Sequence, residues 1–304
     1  MKALAKRITG ALGWSRPSNA GYEIRPVNFD TDWEGIDHLL AKEEWPIVRA
    51  DLEASHGQPV SEFVVASKDD SVHGFFATHA FEEIGYLDMM IIAKEARRCG
   101  VARPMYYRAV RSLKQRGVRT LVVHTTNDSS RLIRLLGFRP GQSFTLVARD
   151  PSTAVEAAAV AQLGPEELPA LIALDQTVFG QRRAEWITTL MRQPSNTFYG
   201  HYREGSLAAS VCLRERRGGA ISIDGANAED FGDLSKLVRK VVTAHRGTRI
   251  ECIARTDGKL HRLLSEIGFQ VPAFFVQIGP LVEWRKGKRT SIGTSEKIQT
   301  LNWF

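Results

Sequence analysis

One short run of this chain has both the side chains and the backbone needed to hold a phosphate. Residues 97–103 read Arg-Arg-Cys-Gly-Val-Ala-Arg, and a helix signal follows with Pro104 in its first turn, where the missing N–H costs no bond. Gly100 permits a tight turn and a close backbone approach. The amides of residues 98–103 would then point outward together at a helix N-terminus, where unsatisfied N–H groups and the helix dipole both favour an anion. Arg97, Arg98 and Arg103 add positive charge around Cys99, Gly100, Val101 and Ala102. Taken alone, a basic surface turn explains the heptapeptide equally well. Nearby titratable groups are Tyr86 and Asp88 in one β-rich run and His79 in the run before it. Strand alternation puts residues 86, 88, 90 and 92 on one face. An imidazole such as His79 titrates near neutrality and suits a base, although buried core histidines also explain His79 and His124.

The elements that must position these groups alternate in type. Residues 22–27, 62–67, 72–81 and 86–92 read as strands, the middle pair joined by a hairpin at Asp69-Asp70-Ser71. Residues 30–43 and 46–56 read as helices, the first with Trp33, Ile36, Leu39 and Leu40 on one side. A helix at 104–115 is closed by Gly117, then come a strand at 121–124, a helix at 129–136 and a strand at 143–148.

This order, with its Arg-x-x-Gly-x-Ala turn, an Asn-bearing turn at Asn127 and a helix ending Gly137-Phe138, resembles the GNAT-type N-acyltransferases. The resemblance implies that the turn, Arg97 through Arg103, cradles the pyrophosphate of acetyl-CoA. It implies that Met90, Ile91 and Ile92 hold the pantetheine arm, with Asn127 beside it. Catalytic carboxylates of that family commonly sit on this strand, so Asp88 becomes the leading proton acceptor, with Tyr86 on its face and His79 as the alternative. The family's leaving-group tyrosine falls at Ile133, a departure that leaves the general acid unassigned. A Rossmann unit is rejected, since it would need Gly-x-Gly-x-x-Gly in a parallel sheet.

The chain also repeats itself. Residues 116–128, RGVRTLVVHTTND, and 246–258, RGTRIECIARTDG, lie 130 positions apart, and each precedes an apolar run ending in Gly-Phe. Self-similarity at such a period indicates two copies of one unit. Ahead of the second copy, Glu229, Asp230 and Asp233 stand where the first has arginines, and carboxylates a few ångströms from a pyrophosphate repel it. The expected fold is therefore α/β, with two tandem GNAT-like domains, each a mixed, mostly antiparallel twisted sheet flanked by helices. Expected boundaries are a basic segment 1–20, a cofactor-binding domain 21–150, a degenerate substrate-side domain 151–282 and a basic tail 283–304, with the break at Asp150-Pro151-Ser152.

Composition narrows the function classes. The chain has 304 residues and a formal charge of +7. Lys2, Lys6, Arg7 and Arg16 face no acid within residues 1–22, and residues 283–304 hold five cations against Glu283 and Glu296, so the part between is neutral. A duplex-binding protein would carry its charge in the folded part; contact of the basic ends with a nucleic acid or acidic surface stays open. No apolar run approaches the ~20 residues of a membrane helix, and residues 1–14 lack a secretory apolar stretch. Three scattered cysteines make neither a metal-ligand spacing nor a disulfide framework, which points to the cytoplasm and to no metal. The function expected is acetyl transfer from acetyl-CoA to a primary amine, on a small molecule held between the halves. A non-catalytic acyl-CoA-binding module, and an acyltransferase acting on protein or nucleic acid, are the alternatives; a homodimer is left open.

Overall fold

The computed structural model describes residues 21–124, 138, 143–152, 159–180, 182–272 and 277–278. The expected terminal segments 1–20 and 283–304, the helix at 129–136, Asn127 and Ile133 lie outside them. The chain divides into two compact units, with the change at 141/142.

The first unit runs β1 (Glu23–Pro26), α1 (Phe29–Lys42), α2 (Arg49–His56), β2 (Ser61–Lys68), β3 (Ser71–Phe81), β4 (Ile84–Ile92), α3 (Ala102–Gln115) and β5 (Thr120–Val123). Its sheet has the order β1-β2-β3-β4-β5, antiparallel except for the parallel pair β4–β5. Asn28 caps α1 by accepting the Asp30 amide at 3.0 Å, and that helix buries Ile36, Leu39 and Leu40 as the spacing required. The β2–β3 hairpin turns through Asp69 and Asp70, both with positive φ (+49° and +59°), the backbone a primed two-residue turn needs. α3 buries Met105, Ala109 and Leu113 beside Gly74 and Gly85. A Cβ at Gly85 would come within 2.8 Å of a Val118 methyl, so glycine here lets the helix sit down on the sheet.

The second unit repeats the plan: β6 (Phe144–Arg149), β7 (Ala161–Gln162), α4 (Leu168–Phe179), α5 (Ala184–Arg192), β8 (Asn196–Arg203), β9 (Ser206–Glu215), β10 (Ile221–Ala228), α6 (Phe231–Ala244), β11 (Ile250–Arg255), α7 (Lys259–Glu266) and β12 (Gln277–Ile278). Strands β7-β8-β9-β10-β11 stand in the same order and sense as β1–β5, with β10–β11 the parallel pair. β5 and β11, the strands of the repeated segments, thus occupy the same place in their sheets.

One placement differs from the expectation. Residues 143–148 read as the last strand of the first half, with the break at 150–152. In the structure β6 is inserted in the second sheet between β11 and β12, paired with β11 from Phe144↔Arg255 to Arg149↔Ile250. The Asp150-Pro151 signal marks where that strand stops, because proline cannot continue a ladder. It carries no information about which sheet the strand joins.

The two faces of the second sheet differ in kind. Against α6 and α7 it packs Val211, Ile223, Leu237, Val238, Val241, Ile250, Cys252 and Leu260, all buried. The opposite face holds charges. Arg183 pairs through two nitrogens with Asp175, which also accepts from Asn227 Nδ2 at 3.2 Å. Asp224 lies 2.7 Å from Arg216 and 3.5 Å from Arg214, and Arg216 also bonds Ser222. Asp175, Arg183, Arg214, Arg216 and Asp224 are all buried. Removing one partner of such a set strands an uncompensated charge, at a cost of about 3–5 kcal/mol. Asp224→Ala should therefore raise amide exchange across β9 and β10 strongly while leaving β2 and β3 protected. Hydrogen-exchange mass spectrometry on the full chain measures both at once.

Candidate functional site

The site is organised by an irregularity in β4. Asp88 pairs with Ala77 and Ile91 with Phe75, so two residues, Met89 and Met90, stand opposite Phe76 alone. Met89 has φ +49°, the left-handed backbone of a bulge. The extra residue shifts the alternation. Tyr86, Asp88 and Ile91 lie on one face with His79, while Ile92 joins Leu87 on the α3 face. The expectation that residues 86, 88, 90 and 92 share one face is corrected accordingly: it holds for Tyr86 and Asp88 and fails past the bulge.

Among the described residues β5 pairs with only the first part of β4. Their parallel pairing runs from Ile84↔Thr120 to Leu87↔Val123, and among the described residues no strand lies along the edge of β4 beyond it. Met90, Ile91 and Ile92, the residues expected to hold an extended arm, occupy this stretch. Ile91 is buried and Ile92 half-buried. The strand end is braced: the Ala93 amide donates to His73 O at 2.8 Å, and Arg97 Nε donates to Ile92 O at 2.9 Å.

The turn that follows takes the shape its residues allow. Arg98 and Gly100 both have positive φ (+67° and +81°), and Val101 is buried and anchors the start of α3. No side chain caps this helix. The Met105 amide donates to Val101 O, Pro104 has no amide, and among the described residues those of Gly100, Val101 and Ala102 have no acceptor. Three such N–H groups at a helix start are an arrangement that favours an anion. Arg98 is exposed at its rim, the Arg103 guanidinium lies 5.5 Å from the Tyr107 ring, and Cys99 Sγ turns back toward Glu95 O. Arg97 also departs from expectation. Besides Ile92 O it holds Glu43 Oε1 at 2.6 Å, so its side chain ties the end of α1 to the strand end.

The corresponding place in the second unit is built otherwise. Nine residues (93–101) separate β4 from α3, whereas β10 enters α6 after only Glu229 and Asp230. Asp230 Oδ1 accepts from the amides of Gly232 at 2.8 Å and Asp233 at 3.3 Å, so the protein's own carboxylate fills the position an anion would take. Asp233, buried, is clasped by Arg203 at 2.8 Å and lies 3.5 Å from His201 and Lys236. The bulge itself is kept: Asp224 pairs with Cys212 and Asn227 with Ser210, and Gly225 between them has φ +56°. Asp224 thus stands where Asp88 stands, but locked to two arginines.

Around Asp88 the structure gathers three of the expected groups. Its side chain keeps 18% exposure, and Oδ2 has no hydrogen-bond partner among the described residues. Burial pushes the carboxyl up to about 7, against a backbone hydrogen bond from Met89 that acts the other way. His79 Nε2 lies 3.9 Å from Asp88 Oδ2. His79 is fully enclosed, and burial, then the charge of Arg116, holds it well below the usual imidazole range. It is therefore neutral, with no opening to solvent, and is unsuited to receive a proton from substrate. Tyr86 is buried between Phe81 and His124, ring centroids 6.0 and 6.1 Å away, and burial pushes His124 down to about 4. The sequence reading missed Ser61, whose Oγ lies 2.8 Å from His79 Nδ1, and Glu43. A serine opening the apolar strand Ser61–Lys68 gives no sign of which histidine it will face until the register is known.

Comparison with known proteins agrees with this geometry. Residues 28–138 match the model of the acetyltransferase (GNAT) family. That stretch lies within the first unit, which is therefore GNAT-like. A protein of Pyrococcus horikoshii assigned as an acetyltransferase superposes with a TM-score of 0.70 at 17% identity, covering 93% of this chain and 95% of its own. A tandem GNAT protein from the clavulanic acid biosynthesis pathway gives 0.61 at 15% identity, covering 86% and 98%. A GCN5-related N-acetyltransferase from Sphaerobacter thermophilus gives 0.61 at 15%, covering 90% and 98%. These likenesses show the fold, two GNAT-like units in one chain. No curated protein matches the sequence. Among the described residues no group of acids, histidines or cysteines could hold a metal ion, and no helix is long and apolar enough to cross a membrane.

The Asp88 carboxyl has a stability signature that does not depend on activity. Its folded value near 7 stands above the usual 3.8, so between these pH values the folded state binds the extra proton. The penalty is absent below about pH 4, grows as pH rises, and is complete above about 7, where it amounts to something on the order of 4 kcal/mol. Asp88→Asn should flatten this dependence and leave the first domain more stable than the parent at pH 8. Urea unfolding followed by exchange in β3 and β4 measures it.

Proposed function

We propose that this chain is an acetyl-CoA-dependent N-acetyltransferase that acetylates a primary amine on a small molecule, with both the cofactor site and the chemistry in the first domain. The observation that supports this most directly is the set of amides at Gly100, Val101 and Ala102, which have no acceptor among the described residues and follow a bulged strand whose far edge is unpaired among them. Those amides suit a pyrophosphate, with Arg98 and Arg103 beside it. The backbone of Met90, Ile91 and Ile92 suits an extended pantetheine arm, which would add to β4 as a strand does. Each chain takes up one cofactor, because the second domain has lost the loop and fills its helix start with Asp230. Cys99, Cys212 and Cys252 are free thiols, which suits a reducing cytoplasm.

In the chemistry proposed, a backbone amide at the splayed end of β4 stabilises the oxyanion as the amine attacks the thioester carbonyl. Asp88, ionised above about pH 7, takes the ammonium proton directly or through water; a base whose value lies near the working pH is best placed for this. The leaving thiolate takes its proton from water, since the tyrosine used elsewhere in the family is replaced by Ile133. His79 and Tyr86 shape the surroundings of Asp88.

Two measurements test the reading. Gly100→Asp places a carboxylate and a left-handed Cβ in the nest, and should weaken acetyl-CoA binding tenfold or more by calorimetry; the parent should bind one equivalent. Unchanged affinity in this variant would overturn the assignment. Asp88→Asn should lower kcat/KM by roughly 100-fold or more, and the parent's profile should rise with pH through about 7. Tight cofactor binding with no CoA release across a panel of amines would instead identify a non-catalytic acyl-CoA-binding protein.

A further inference from the structure

We infer that Ser61 is a positioning residue for this site: its hydroxyl fixes His79 in the tautomer that turns Nε2–H toward the Asp88 carboxylate. The inference rests on reading Asp88 as the proton acceptor, and goes beyond it by assigning the device that sets its ionisation. Ser61 and His79 are register partners across β2 and β3, their polar atoms 2.8 Å apart and both residues buried. Among the described residues the hydroxyl proton has no acceptor other than Nδ1, so the serine donates and Nδ1 accepts. A neutral imidazole that accepts at Nδ1 carries its proton on Nε2. That nitrogen is 3.9 Å from Asp88 Oδ2, and a small closure of the pair would make a hydrogen bond.

The framework holds the ring in this attitude. Phe63 packs edge-on to it at 5.9 Å. Arg116 donates to the carbonyls of Val60 at 2.8 Å and Ser61 at 3.2 Å, pinning the start of β2 that carries the serine. The groups facing Asp88 are His79 from β3, Tyr86 from β4 and, beyond the tyrosine, His124 at the end of β5. Those facing His79 are Ser61 from β2, Arg116 past the end of α3 and, through Phe63, His56 of α2 and Phe29 of α1. None of these groups carries a formal negative charge, so none of them competes with the Nε2 donor for Asp88. A donor turned toward a carboxylate favours its charged form, and so opposes the burial that raises it. Reversing the tautomer would present a lone pair and favour the acid instead.

The test uses the full chain without substrate, so that it stands apart from turnover. Nitrogen-15 spectra of His79 should show the Nε2–H tautomer in the parent and a mixture in Ser61→Ala. The carbon-13 titration of the Asp88 carboxyl should move up by about one pH unit, a tenfold change in proton affinity, in both Ser61→Ala and His79→Phe. Ser61→Thr, which keeps the hydroxyl, should hold the parent midpoint. A purely structural serine would alter stability and leave that midpoint alone. An Nδ1–H tautomer in the parent, or a midpoint unmoved in both Ser61→Ala and His79→Phe, overturns the inference. If the midpoint moves as expected and no amine is acetylated, the assigned role of Ser61 stands and the catalytic reading falls.

Discussion

Met89 holds its backbone at φ +49° in the middle of β4, and the extra residue this introduces governs the rest of the first domain. A residue with a Cβ sits in the left-handed region at a cost of roughly 1–2 kcal/mol, so the pairing on both sides must enforce it. It does: β3 holds Asp88 opposite Ala77 and Ile91 opposite Phe75. The consequences follow in order along the strand. Asp88 is delivered to the face of His79, the pairing with β5 runs no further than Leu87 among the described residues, and the strand continues into the turn before α3.

The two domains form an internal comparison. Both keep the strand order, the parallel pair and the bulge, with an aspartate at the same register position. What differs is how local charges are satisfied. In the first domain, among the described residues, the amides of Gly100, Val101 and Ala102 have no acceptor and Asp88 has no arginine or lysine partner. In the second, Asp230 bonds the amides of α6 and two arginines hold Asp224. An anion site and a proton acceptor both need unmet hydrogen-bonding capacity. The second domain has spent that capacity on its own interior, which suits a stable scaffold and not a second cofactor site.

Arg97 illustrates how a motif residue can take on a structural role. Bonded to Ile92 O and Glu43, it couples the strand end to α1, and so fixes the angle at which β4 runs into the nest. Arg98 and Arg103 are the other two cations of the turn.

Much of this was legible in the sequence. Gly100 needed a positive φ and has one, Pro104 opens α3 in its first turn, the Asp69-Asp70 hairpin forms, and the basic and acidic turns differ as their residues said. Those features are local, set by backbone permissiveness, periodicity and the sign of nearby charge. What the sequence left hidden was non-local. Alternation placed residue 90 with Asp88, because nothing in Asp-Met-Met-Ile announces a bulge that only the pairing with Phe76 imposes. The strand at Phe144 was assigned to the wrong sheet, because a strand's hydrogen bonds can be met by any edge of suitable length. The pairing of Arg97 with Glu43, distant in the chain, could not be read from the motif, and Ser61 gained its partner only through register. Residue chemistry, in short, was written along the chain, while the pairing of strands decided which groups would meet and which charges would be left open to a ligand.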